Sequence, residues 1–141
     1  MILDTFAEQI GAVVVLGVSG AAFKWGGAPE RIAGWGVIAA WIASAAAINT
    51  RDWLSPQWVV AGIDLALLAL LVFVALWSER TWALVASAFQ LITVLVHIGR
   101  LIDRTFLGWT YISIMIACGY VVMAALAVGT WRHRRDRASS H

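Results

Sequence analysis

The sequence predicts an all-α fold, an integral membrane bundle of five transmembrane helices. Three observations carry that expectation. The chain is 62% hydrophobic and only 13% charged, with a mean hydropathy of +0.84, so it lacks the charged shell of a soluble domain. Five apolar stretches follow one another, separated by short polar breaks. Seven of the nine tryptophans fall near the ends of those stretches, where amphipathic rings sit at a membrane–water interface. The length of 141 residues fits one bundle, residues 1–131, followed by a basic tail, 132–141.

The first stretch runs from about Phe6 to Phe23, near the lower length limit for a span. If it re-enters or lies in the interface instead, the bundle has four spans. Gly11, Gly17, Gly20 and Ala21 make it thin, as membrane helices do for close packing. No basic residue precedes it, so it reads as a retained segment and not a cleaved signal. Lys24 to Arg31, KWGGAPER, holds two glycines, a proline and charged residues, which predicts a turn with Pro29 opening the next helix. The second stretch runs from about Ile32 to Ile48. Its Gly36, Ala40 and Ser44 repeat every four residues and form a small-residue face, with Trp35 and Trp41 off that face.

Asn49 to Asp52 reaches the surface, and Trp53, Pro56 and Trp58 mark an interface. The third stretch, about Gln57 to Trp77, is leucine-rich and holds one charge, Asp64. Ser78-Glu79-Arg80 is a very short turn, so the third and fourth helices are antiparallel neighbours, with Trp77 and Trp82 expected at the interface on either side. The fourth stretch, Thr81 to Arg104, is the one that stands out. Gln90, Thr93, His97, Arg100 and Arg104 step by three and four, so they share one helix face. In lipid that face must turn inward, with the end arginines free to snorkel to headgroups. The fifth stretch runs from about Phe106 to Trp131, and the tail after it reads as disordered.

Depth matching singles out two pairs. Asp64 lies about fifteen residues before the tight turn and His97 about eighteen after it, so at about 1.5 Å per residue their depths nearly match. Such a pair is either a hydrogen bond that fixes helix register or a titrating pair on an ion path. An ion pair and a neutral pair sharing one hydrogen bond are both open, and Arg100 is an alternative partner for Asp64. Gln90 and Tyr120 are equidistant from the turn near Thr105, so they are expected to meet as helix glue. The candidate intramembrane polar cluster is therefore Asp64, Gln90, Thr93, His97, Arg100 and Tyr120.

No catalytic or cofactor signature is present, so no enzyme, cofactor or metal is expected. His97 is the one histidine inside a span, which disfavours a haem within one monomer. Cys118 is the only cysteine, so no intrachain disulfide forms, and with Met115 it reads as core filler. Lys and Arg count seven on the side of the tail and three on the other, which puts the C-terminus in the cytoplasm. The tail arginines, Arg132, Arg134, Arg135 and Arg137, read as that topology anchor and not as a nucleic-acid patch.

The order of GGAPER at 26–31, Ile63-Asp64, Gln90 and His97 resembles that of small multi-pass proteins of bacterial inner membranes. The resemblance implies a bacterial inner-membrane location and brings no known activity. Two functions are expected. One is a non-catalytic accessory, assembly or oligomeric component whose partners are the bilayer and other membrane subunits or itself. The other is a small proton- or ion-coupled transporter, channel or sensor using Asp64 and His97. The third to fifth segments have no glycine or proline break at the depth of that pair, which counts against a broken-helix transporter.

Overall fold

A computed structural model describes residues 6–48, 56–103, 105 and 108–141. Asp4, Asn49 to Trp53, Arg104 and the Phe106 start of the fifth segment lie outside the described residues. Five helices and no strand occur among the described residues: α1 Phe6–Trp25, α2 Ala28–Ile48, α3 Pro56–Ser78, α4 Thr81–Ile102 and α5 Gly108–Ser139. Three of them are long and apolar enough to cross a membrane, at Trp58–Ser78, Thr81–Ile102 and Gly108–Ser139.

The helices form a ring in which each packs on the next, and α1 closes it against α5. The inner face is built from small residues: Ala22, Ala33, Ala83 and Ala86 are fully buried. They let the helix axes approach closely, and Leu71, Val74 and Leu126 fill the remaining space. Gly36 lies against Leu67 and Leu70 of α3, as its small-residue face predicts. Gly17 and Gly20 instead face open space, so their smallness serves no contact among the described residues.

Large apolar side chains cover the outside, among them Phe73, Leu76, Leu84, Leu95, Ile98 and Trp109. The polar residues lie inside: Ser19, Glu30, Ser87, Gln90, Thr93, His97 and Thr130 are all buried. A water-soluble bundle has the opposite arrangement.

The turns are tighter than the sequence suggests. Gly26 and Gly27 alone separate α1 from α2, because Gly26 N–H donates to the Ala22 carbonyl and Glu30 reaches back to Gly27 N–H. Gly27, Pro29 and Glu30 thus stand as N-cap, second and third helical residues, with the glutamate closing half of a capping box. Between α3 and α4, Glu79 adopts a left-handed conformation at φ 52°. That conformation ends α3 and reverses the chain within two residues.

Two expectations are corrected. The tail is not disordered: α5 continues through Ser139, since Arg and Ala are good helix formers and the extension is held from the side. Arg134 lies over the Trp25 ring at 4.7 Å, and the His133 ring packs against Gly27. Trp82 is not an interfacial anchor either. It is buried at 5% exposure because its indole N–H has a partner inside the bundle.

Candidate functional site: a polar relay beside a central cavity

The inward face of α4 consists of Trp82, Ala83, Ala86, Ser87, Gln90, Thr93, Val94 and His97. Its regular three- and four-residue spacing aims every polar group of the middle of α4 at the ring centre. On α3, Asp64 is the facing group. His97 Nε2 and Asp64 Oδ2 are 2.7 Å apart. Gln90 Nε2 donates to Asp64 Oδ1 at 3.0 Å and also to the Asp64 carbonyl at 3.2 Å. On the other side of the imidazole, Nδ1 and the Tyr111 hydroxyl are 2.8 Å apart. Arg100 caps this end, its guanidinium over the Tyr111 ring at 4.4 Å.

Gln90, Asp64, His97 and Tyr111 therefore form one continuous chain of hydrogen bonds across α3, α4 and α5. Its direction is not fixed by the heavy atoms. With Asp64 ionised and His97 neutral, Nε2–H donates to the carboxylate and Tyr111 O–H donates to Nδ1. With His97 charged, both ring nitrogens donate. With Asp64 neutral, its O–H donates to Nε2 and Nδ1–H donates to the Tyr111 oxygen. All three leave every bond in place, so a proton can change position without moving a heavy atom.

Asp64, Gln90 and Thr93 also line an open cavity of about 430 Å³ between the helices, with the exposed Ile116 and Tyr120 of α5 on its wall. All five helices contribute, including Val15 of α1, Trp41 of α2, Leu67 of α3, and Met115 and Met123 of α5. The lining is mostly apolar, with the hydrogen-bonded Asp64 and Gln90, Thr93, Ser44 and Tyr120 as polar members, the general form of a small-molecule site.

The sequence-derived cluster is thus partly assembled. Asp64, Gln90 and His97 meet directly. Thr93 lies beside them and donates to the Phe89 carbonyl at 3.2 Å. Arg100 pairs with Tyr111 and not with Asp64. Tyr120 lines the cavity but is 41% exposed, and no hydrogen bond joins it to Gln90 among the described residues, the Gln90 amide N–H group going to Asp64. The expected Gln90–Tyr120 contact is therefore corrected. Arg104 lies outside the described residues. Met115 lines the cavity, whereas Cys118 is buried.

Tyr111 was missed, although depth counting reaches it: His97 precedes the turn at Thr105 by about eight residues and Tyr111 follows it by about six. A second polar centre was missed at the opposite end. Glu30 is fully buried and accepts the Trp82 Nε1–H at 3.0 Å and the Gly27 N–H at 2.9 Å. The helix-opening order Gly-Ala-Pro-Glu was its local signal.

No protein family model, curated protein or solved structure matches this chain.

Proposed function

We propose that the chain is a multi-span membrane protein whose Asp64–His97 pair takes up and releases protons, coupling them to occupancy of the central cavity. In this reading all five helices cross the membrane. The inside-out distribution of polar and apolar side chains supports it, as do the three helices of spanning length. Lys24, Arg31 and Arg80 lie toward the same end as Arg132, Arg134, Arg135 and Arg137, which favours a cytoplasmic C-terminus in a bacterial inner membrane.

One observation carries the proton role. The Asp64–His97 contact of 2.7 Å is bonded onward at both sides, to Gln90 at the cavity and to Tyr111 toward the Arg100 end. A buried imidazole needs both nitrogens partnered in any role, and what this chain of bonds adds is a set of bonded positions on Asp64, His97 and Tyr111 between which a proton can shift. Infrared difference spectroscopy tests the role, on protein in lipid nanodiscs stepped from about pH 8 to about pH 5, the range in which imidazole ordinarily titrates. Bands of the Asp64 carboxyl and the His97 ring should change together and vanish in Asp64→Asn. Spectra without those bands overturn the reading.

The accessory or oligomeric role stands as a second reading. Gly17 and Gly20 on α1 face outward with nothing within 4 Å, a surface suited to another helix.

A further inference from the structure

We infer that the central cavity binds a small organic cation, an amine with an apolar body, and that this cation and a proton compete for Asp64. The inference rests on the proton-coupled reading and names the ligand class of its cavity.

The cavity's charge is the first ground. Among the described lining residues Asp64 is the one charged side chain, and it is an anion. Its hydrogen-bonding character is the second. At the polar end Gln90 uses its amide N–H group on Asp64, and among the described residues nothing donates to its Oε1. Thr93 has spent its proton on the Phe89 carbonyl, so its oxygen is left as an acceptor. Carboxylate, amide oxygen and hydroxyl oxygen thus converge as acceptors, and they match a donor-rich cationic head. The walls are the third ground. Val15, Leu67, Met115 and Met123 suit an apolar body, and the rings of Trp41 and Tyr120 also line the space, where aromatic faces favour cations.

Competition follows from the charges around the carboxylate. Among the described residues, those of α1 and α2 that line the cavity include no titratable group; α3 contributes Asp64, α4 His97 with Arg100 beyond it, and α5 Tyr111 and Tyr120. Arg100 is committed to the Tyr111 ring on the far side of His97. A proton on the pair and an ammonium in the cavity therefore neutralise the same single charge. In a low-dielectric site the second positive charge is disfavoured once the first is present. Amine binding should expel the proton.

The probes are 2-naphthylmethylamine, the alcohol of the same shape and the corresponding naphthylacetate, with binding measured by equilibrium dialysis against loaded and empty nanodiscs. The amine should bind wild type at least about tenfold more tightly than the alcohol, and the acetate should not bind above the empty-disc level. Amine affinity should rise about tenfold between about pH 5.5 and about pH 8. Asp64→Asn should make amine and alcohol equal. Ala40→Phe, verified as folded, puts a bulky ring on the α2 wall of the cavity and should abolish binding of both. Equal binding of amine and alcohol to wild type, or amine binding that survives Ala40→Phe, overturns the inference. Infrared titration without any amine separates the two failures: a titrating pair with no amine preference sinks the ligand assignment alone, whereas a silent pair sinks the proton reading itself.

Discussion

Glu30 and Trp82, fifty-two residues apart, are joined by a buried hydrogen bond of 3.0 Å. The bond ties the start of α2 to the start of α4. The same indole is pressed from behind by Gly129 of α5, and the same carboxylate holds the Gly27 N–H. One acid and one tryptophan thereby hold three helices, α2, α4 and α5, in register at the end opposite the relay.

Trp82→Phe should therefore destabilise the bundle by about 1–3 kcal/mol, because it leaves a buried acceptor without its donor. Glu30→Gln should cost less when added to Trp82→Phe than when made alone, since the two groups act as a unit. Thermal unfolding in detergent measures both. Additive losses would show that the bond is not the shared term.

Gly129→Ala tests the third contact. A Cβ there would sit 2.5–2.6 Å from three indole atoms of Trp82, so the ring must leave Glu30. The expected loss is about 1–3 kcal/mol. Gly119→Ala is the matched control: nothing lies within 4 Å of its added Cβ, and helix propensity alone should stabilise it by about 0.5–1 kcal/mol. Equal behaviour of the two variants would contradict the packing.

Glu79→Gly should raise stability. A non-glycine residue at φ 52° carries a left-handed penalty of about 1–2 kcal/mol, partly offset by the greater freedom of glycine in the unfolded chain. A net gain of about 0.5–1 kcal/mol in thermal unfolding is expected, and a loss would mean that the Glu79 side chain matters more than its backbone.

Asp103 sets an acid-side pH dependence outside the helices. The Thr105 hydroxyl and then the Thr105 backbone N–H donate to its carboxylate and hold its pKa below the ordinary 3.8, against a small opposing effect of burial. A depressed folded value means the contribution is present above the unfolded pKa and is lost as pH falls through the folded one. Thr105→Val should raise the Asp103 pKa toward 3.8, read by carbon NMR of the labelled carboxyl. An unchanged titration would show that the hydroxyl contributes nothing.

Much of the site was legible because helical rise is fixed and the α3–α4 turn is short. Those two facts place Asp64 and His97 at one depth, and the α4 stripe supplies the facing direction. Depth without direction failed for Gln90 and Tyr120: they match in height, but Gln90 is buried and turns its amide N–H group toward Asp64 on α3, whereas Tyr120 is 41% exposed. Trp82 was misread because a tryptophan near a helix end suits an interface and a buried hydrogen bond equally well, and its partner lies fifty-two residues away. The tail was misread because a run of arginines resembles a solvated coil; the ring of Trp25, which holds Arg134, belongs to another helix.

The proton role of the Asp64–His97 pair is tested most directly by counting protons. Wild type and the double variant Asp64→Asn, His97→Gln, each verified as folded, are titrated in nanodiscs between about pH 8 and about pH 5, and the protons bound per chain are compared. Amides can rebuild the hydrogen bond but do not titrate there. The account predicts that wild type takes up about one proton more than the double variant. Identical uptake by two equally folded proteins would contradict it and leave the pair as a structural contact.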